Sequence, residues 1–315
     1  MNKFIVFSDT HYKFNYDKSY MVKNGLTSWL LTQLNLTEDI FKYALSNKIK
    51  TVIHCGDMFE EKNRISFTLY NAVWELYKKY SEELDIIFLT GNHDVSTVTG
   101  VSTAKPFSDI ICVVDEPTLI DDALFVPYRM LDKITNDDVT SILFTHDDFI
   151  GAKYAKGTQS EDGYDPKIVS KFDVVFNGHI HIPQSYDNIY SVGSLMAGDW
   201  GDDNKQKRFI VYDDNITSVN IDHPMFYSFD KLNDEVRNAI NDKDFFRVDI
   251  GTEEITDPIF NQYNVDYRIV RAADRTIRLS NTLSDEEELS EYLKVTETKL
   301  DTDKLLNIGI ELCQK

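Results

Sequence analysis

Five of the seven histidines in this 315-residue chain stand beside Asp, Asn or Gly just after a short apolar run. Asp9-x-His11 follows Phe4 to Phe7, and Gly56-Asp57 follows Thr51 to His54. Gly91-Asn92-His93-Asp94 follows Ile86 to Leu89, His146 follows Ile142 to Thr145, and Gly178-His179-Ile180-His181 follows Val174 to Asn177. Carboxylates, one amide oxygen and imidazoles, with no thiolate, make an N/O donor set for divalent manganese, iron or zinc rather than for a structural zinc. A single catalytic ion takes about three protein ligands. Asp9, His11, Asp57, Asn92, His146, His179 and His181 are too many for one, so two ions sharing a bridging carboxylate is the economical arrangement. Taken singly the motifs are weak, since Gly-Asp after a strand is a common turn. Their joint occurrence, each at a strand end, carries the signal.

The elements that must position these groups read as short buried strands separated by helices. Strand candidates are Phe4 to Phe7, Thr51 to His54, Ile86 to Leu89, Ile110 to Val114, Leu124 to Val126, Ile142 to Phe144, Val174 to Phe176, Tyr190 to Val192 and Phe209 to Tyr212. Thr37 is placed to cap a helix carrying Ile40, Phe41, Ala44 and Leu45, and Ser66 one carrying Leu69, Val73, Leu76 and Tyr80. Alternating strands and helices imply an α/β domain, and ligand groups in such sheets gather at the carboxyl ends of strands.

After His223-Pro224 the pattern changes to a helix around Leu232 to Ile240 and strands at Phe245 to Ile250 and Tyr267 to Val270. Ser284 with Glu287 has the form of a capping box, and Asp301 can cap a last helix bearing Leu305, Ile308 and Leu312. The expected division is 1–222 as catalytic domain, 223–280 as a smaller α+β cap, and 281–315 as terminal helices.

Composition constrains the partners. There are 33 Lys and Arg against 53 Asp and Glu, a net charge of −20, whereas a bare duplex-DNA binder is normally basic. A hydrophobic content of 42% is enough to build a buried core, which excludes a disordered chain. No run approaches the roughly 18 apolar residues of a membrane span, and Met1-Asn2-Lys3 leads straight into Phe4 without a signal-peptide core. The expectation is a soluble cytoplasmic protein, in the host cytoplasm if viral, with no membrane partner. Cys55, Cys112 and Cys313 are widely spaced and read as reduced thiols.

The ordered set from Asp9-x-His11 to Gly178-His179-x-His181 resembles the calcineurin-like metallophosphoesterase superfamily. Within it the chain is most similar to SbcD-type recombination and repair nucleases, including bacteriophage counterparts. Val126-Pro127-Tyr128, and Ser191-Val192-Gly193-Ser194 leading to Lys207-Arg208-Phe209, carry the narrower likeness. The resemblance implies a four-layer α/β/β/α sandwich with a C-terminal cap. It implies that Asp9, His11, Asp57 and His181 hold one metal, and that Asp57 bridges to a second completed by Asn92, His146 and His179. His93 matches a catalytic histidine that assists the leaving oxygen, a role suited to an imidazole. Glu60 stands where relatives often show His or Asp, which puts an auxiliary role there in doubt. Asp147-Asp148 reads as a solvated loop, and Asp94 as a group that orients a neighbour.

The activity implied by the resemblance is that of a manganese-dependent nuclease, which cuts DNA by a two-metal-activated hydroxide. Arg268, Arg271, Arg275 and Arg278 are candidate phosphate contacts, equally readable as a solvated edge paired to acids. The terminal helices would dock an SbcC-like P-loop ATPase with a coiled coil, since this chain has no Gly-x-x-x-x-Gly-Lys-Ser/Thr of its own. A homodimer would form through the Ser66 to Tyr80 helix. The competing readings are a free-standing metallophosphatase or nucleotide phosphodiesterase, which the acidity favours, and a metal-free scaffold, which the complete ligand set disfavours. His54 reads as a core histidine, His223 as a satisfied surface or linker histidine, and Trp29, Trp74 and Trp200 as packing residues.

Overall fold

The structure, a computed structural model, describes residues 3–16, 19–20, 22–135, 140–154, 157–198, 200, 205–270, 304–306 and 308. In chain order its first strands are β1 (Lys3–Phe7), β2 (Thr51–His54), β3 (Asp85–Leu89), β4 (Cys112–Val114), β5 (Thr118–Ile120) and β6 (Ala123–Val126). Next come β7 (Ile142–Thr145), β8 (Val174–Asn177), β9 (Gln184–Tyr186), β10 (Ile189–Ser191), β11 (Arg208–Asp213) and β12 (Asn215–Asn220). They form two six-stranded sheets, ordered β12-β11-β1-β2-β3-β4 and β5-β6-β7-β8-β10-β9.

Period-two alternation sets the layers. Phe4 and Val6 of β1 meet Phe144 and Phe176 of the second sheet in the core between the sheets, with Phe4 edge-on to both rings at 5.4 and 5.6 Å. Ile5 and Phe7 point the other way, onto α1 (Ser28–Ser46) and α2 (Phe67–Ser81). Leu124, Val126, Leu143 and Val175 of the second sheet face outward against Leu131, Phe149, Val169 and Phe172. The metallophosphoesterase-type α/β sandwich is therefore present, but among the described residues the outermost layer is made of irregular chain and short 3-10 turns at Leu131–Lys133 and Pro166–Val169.

Helix α1 begins well before the expected cap. Thr27 is the N-cap, its hydroxyl accepting from the Leu30 amide, while Thr37 lies buried inside the helix. Thr37 donates back to the Gln33 carbonyl at 3.1 Å and meets the Tyr12 hydroxyl at 2.6 Å. Ser28, Gln33 and Thr37 interrupt an otherwise apolar buried stripe, which hid the first two turns from pattern reading. Ser66 does precede α2, though its side chain makes no capping bond. The strand expected at Ile110 starts only at Cys112, because Ile110 closes a 3-10 turn over Lys105–Asp109.

Beyond residue 223, β13 (Phe226–Phe229) pairs in parallel with β14 (Phe245–Ile250), α3 (Asp234–Ala239) is capped by Asn233, and α4 (Ile259–Gln262) and β15 (Val265–Ile269) follow. Phe226 and Phe245 pack on Trp29 of α1 at 5.8 and 4.7 Å. Trp200 packs edge-on to Phe226, with the Arg247 guanidinium 4.0 Å from its ring. His223 is buried rather than at the surface, its Nδ1 donating to the Pro224 carbonyl at 2.9 Å.

The chain forms two compact units, Met1–Val248 with Thr256–Arg268, and Asp249–Ile255 with Ile269–Lys315. Arg271, Arg275, Arg278, the expected caps at Ser284 and Asp301, and Cys313 lie outside the described residues. No helix among the described residues is long and apolar enough to cross a membrane.

Candidate metal centre

The expected ligands arrive at the carboxyl ends of β1, β2, β3, β7 and β8. Past β1 the chain still follows β2: the amides of Asp9, His11 and Tyr12 donate to the carbonyls of Gly56, Asp57 and Met58 at 3.1, 3.0 and 2.8 Å. Asp9, His11, Asp57 and His179 all sit at positive φ, between 44° and 68°, a region that non-glycine residues seldom occupy. Such backbone persists where surrounding bonds over-determine it, and here they do. Gln33 of α1, missed by sequence reasoning because its helix was placed too late, donates to the carbonyls of both Thr10 and His11 at 2.8 Å. Its Oε1 accepts from the Lys13 amide at 3.1 Å.

Two ligand clusters result. In the first, His11 Nε2 lies 3.0 Å from His181 Nε2, with Asp9 Oδ1 3.8 and 3.7 Å from these two atoms. In the second, His146 Nε2 and His179 Nδ1 lie 3.2 and 2.9 Å from Asn92 Oδ1. Asp57 joins them. Its Oδ2 is 3.5 Å from His11 Nε2 and 3.3 Å from His146 Nε2, while Oδ1 is engaged by the His93 amide at 2.7 Å. One carboxylate oxygen thus sits between the clusters, and His93, Asp57 and His11 form a third close group.

These atoms fit divalent cations. Both carboxylate oxygens of Asp9 are buried and meet no hydrogen-bond donor. A carboxylate in that position is costly unless a cation faces it. His146 Nδ1 lies 2.6 Å from the Cys55 carbonyl, so it carries the proton and donates. A neutral ring then presents a bare Nε2 lone pair to the Asn92 and Asp57 oxygens. Three lone pairs converging without a proton repel one another, and a cation removes that conflict. In the metal-free chain protons take that place. Burial opposes charge on His11, but contacts with Asp9 and Glu60 and the Asp57 charge push its pKa up to about 10. His146 is also buried, and the Asp57 carboxylate raises it to about 10. Asp9, despite burial, is held at about 2 by His11, His146 and His181. His179 falls to about 4 through burial and the His146 charge.

Supporting groups hold this set in place. Asp94 accepts from the amides of Asp57 at 2.7 Å, Met58 at 2.9 Å and Gly91 at 2.8 Å, the orienting role read for it from sequence. Burial and the Asp57 charge raise its pKa to about 7. Lys207, fully buried, donates from Nζ to the His181 carbonyl at 2.9 Å, and Asn177 bonds both the amide and the carbonyl of Asp147. Lys207 belongs to the Lys207-Arg208-Phe209 run singled out in the sequence, though not for this contact, and Asn177 reads from sequence only as the end of a strand.

Asp147-Asp148 is not a solvated loop: buried Asp147 accepts from the Arg129 amide and the Thr145 hydroxyl, and Asp148 accepts from Tyr154 and Ser160, both at 2.6 Å. His54 is the expected core histidine, stacked 4.5 Å from the Phe7 ring and bonded to the Tyr77 hydroxyl. Burial lowers its pKa to about 3. Of the candidate phosphate contacts only Arg268 is described, on the exposed side of β15.

Gly56 is required by geometry, with φ +93° and a close approach to His146. A Cβ there would overlap the His146 ring and reach the Gly91 Cα at 3.0 Å. Gly56→Ala should therefore cost about 1–3 kcal/mol of stability and weaken metal binding by displacing His146. Thermal unfolding with and without manganese checks this; an unchanged midpoint and metal shift would contradict it.

Glu60 does touch the cluster. Its Oε2 lies 3.1 Å from His11 Nδ1, and its carbonyl accepts from His93 Nδ1 at 2.6 Å. The carboxylate favours the His11 proton on Nδ1, leaving Nε2 to face the cluster. Glu60→Gln should lower metal affinity by about 10- to 100-fold, read by calorimetric titration with manganese. Affinity equal to that of the unaltered chain would remove Glu60 from the site.

The calcineurin-like phosphoesterase profile matches residues 2–183, a stretch that contains every one of these candidate ligands. The chain belongs to the calcineurin-like phosphoesterase family. It is a hydrolase of phosphoester bonds, from a family that uses a dinuclear divalent-metal centre. Among solved structures, this phosphoesterase is similar to the Pseudomonas putida nuclease MPE, at 13% identity and TM-score 0.33, over 69% of this chain and 87% of that one. It is also similar to purple acid phosphatase PPD1 from yellow lupin (Lupinus luteus) seeds, at 12% identity and TM-score 0.39, over 67% and 48% of the two chains. A sequence search of the curated proteins gives no match.

Proposed function

We propose that this phosphoesterase is a manganese-dependent DNA nuclease of the SbcD type, hydrolysing phosphodiesters in repair or recombination. The observation that carries the two-metal part of the reading is Asp57 Oδ2, shared between His11 and His146 while Oδ1 is tied down by the His93 amide. Asp9, His11, Asp57 and His181 would hold one ion, and Asp57, Asn92, His146 and His179 the other. Two divalent cations there would supply Lewis-acid stabilisation of the phosphoryl oxygens and an activated water near neutral pH. His93, in its imidazolium form, would give the Nε2 proton to the departing sugar oxygen while its Nδ1–H stays on the Glu60 carbonyl.

DNA rather than a small phosphoester is favoured by the stretches outside the ligand set that resemble those of SbcD-type nucleases. Tyr128, of the Val126-Pro127-Tyr128 run, stands 5.8 Å from the His179 ring, and Ser194 and Lys207 brace the His181 carbonyl. A free-standing phosphatase is the competing reading, favoured by the net charge of −20. That charge implies weak grip on DNA by the isolated chain, with an SbcC-like ATPase, and a second copy of this chain docked through α2, supplying the rest. The deciding experiment compares linear DNA, a chromogenic phosphodiester and a phosphomonoester with manganese, each repeated with Asp57→Asn. DNA cleavage lost in the variant supports the reading, and preference for the monoester overturns it.

A further inference from the structure

Next to the metal centre lies a larger cavity that the ligand set leaves unused. The cavity at the metal cluster, lined by Asp9, His11, Glu60 and His181 among others, measures about 160 Å³. Its neighbour, between residues 12–16 and 59–69, measures about 420 Å³, within the range of sites that take small organic ligands. Lys13 and Glu60 line both. The Glu60 carbonyl also holds His93, so one residue links the larger cavity to the proposed leaving-group histidine.

Its chemistry is that of a stacking site. Phe14 and Tyr16 are stacked at 5.3 Å and 28°, and Tyr16 is 64% exposed, offering an aromatic face. Phe59, Ile65 and Leu69 supply apolar wall. Asn15, held at φ 48°, lines the cavity, and its Nδ2 is buried with no hydrogen-bond partner among the described residues. An amide with a free donor beside an aromatic face is the pairing that reads the edge and face of a nucleobase. Arg64 at the rim can meet a neighbouring phosphate.

We propose that this cavity takes a nucleobase of the substrate, that of the nucleotide adjoining the cleaved phosphate, with Tyr16 stacking on the ring and Asn15 bonding its edge. The assignment rests on the nuclease reading for its place in the reaction. Stacking is sequence-tolerant, so thymine and adenine both bind.

The test needs no metal. Saturation-transfer NMR on the metal-free full chain, with thymidine, deoxyadenosine and deoxyribose as probes, should show saturation of base protons and little of the free sugar. Tyr16→Ala should reduce the base signal about fivefold or more, and Tyr16→Phe should retain it. Asn15→Ala should also weaken it. No base saturation in the unaltered chain, or equal saturation in Tyr16→Ala, overturns the assignment. So does a Tyr16→Ala variant that alters only the monomer–dimer balance by light scattering, since the cavity would then seat a second copy. Manganese-dependent cleavage of DNA, measured separately, keeps the two readings apart. Cleavage without base binding rejects the cavity alone, and base binding with preference for the phosphomonoester over DNA rejects the nuclease reading alone.

Discussion

Asp57→Asn should abolish manganese-dependent hydrolysis, with a fall on the order of 10³-fold or more, while the chain stays folded. Loss of a shared ligand removes several kcal/mol of charge stabilisation, and each 1.36 kcal/mol is about tenfold in rate. The variant keeps the shape of the side chain, and the amide oxygen can still accept from the His93 amide as Oδ1 does now. What it loses is the negative oxygen between His11 and His146. Two readouts besides turnover bear on this. Manganese should raise the melting temperature of the unaltered chain and not that of the variant. Manganese uptake should also release protons at neutral pH, because His11 and His146, raised to about 10, carry protons that a cation must displace. The sign is fixed. Their folded values lie above the ordinary 6.5, so the stability from this pairing is full below pH 6.5 and is lost as pH climbs through about 10. Metal affinity should strengthen over the same interval. An Asp57→Asn chain with full activity and an unchanged manganese shift would remove the bridging assignment.

The convergence of the candidate ligands was legible because strand ends impose strong local demands. Gly56 is fixed by contact with the His146 ring, and Asp9, His11, Asp57 and His179 carry unusual backbone, so a short strand followed by Asp, His or Gly leaves a readable mark. Of the groups that steady the candidate ligands, Asp94 reads from sequence in an orienting role, while the contacts of Gln33 and Lys207 leave no mark. Gln33 and Lys207 act through carbonyl oxygens of residues far away in sequence, and any long polar side chain in a core stripe reads as a break in the pattern.

Edge strands were missed for a related reason. β5 is mostly exposed, and β12, Asn215–Asn220, buries no residue, so neither shows the alternation that marks a half-buried strand. β12 exists because its backbone pairs with β11 from Arg208 through Asp213, a partner invisible to local reading. Asp147-Asp148 failed differently. Two adjacent acids usually mean a solvated turn, and only the fold brings the Arg129 amide, Thr145, Tyr154 and Ser160 to them.

His93→Asn should keep the metal and lose turnover on DNA by about 10²- to 10⁴-fold, the range for removal of a positioned proton donor. The ligand atoms do not depend on the ring, since the contact from residue 93 to Asp57 is made by its backbone amide. The ring is held by its own bond. A carbonyl only accepts, so Nδ1 carries a proton toward Glu60 at 2.6 Å, and Nε2 is the nitrogen left to serve a departing oxygen, as an acid when the ring is imidazolium and carries a second proton there. The His11 ring stands edge-on 4.8 Å away, which places the His93 ring beside the first cluster. Asparagine has no proton to give at neutral pH. The loss should therefore depend on the leaving group. A sugar alkoxide needs a proton as it departs, whereas a p-nitrophenolate leaves as a stable anion, so the penalty should be large on DNA and shrink toward unity on a p-nitrophenyl diester. An equal loss on both substrates would mean that His93 positions the phosphate instead, and near-normal cleavage of DNA would end the acid assignment altogether.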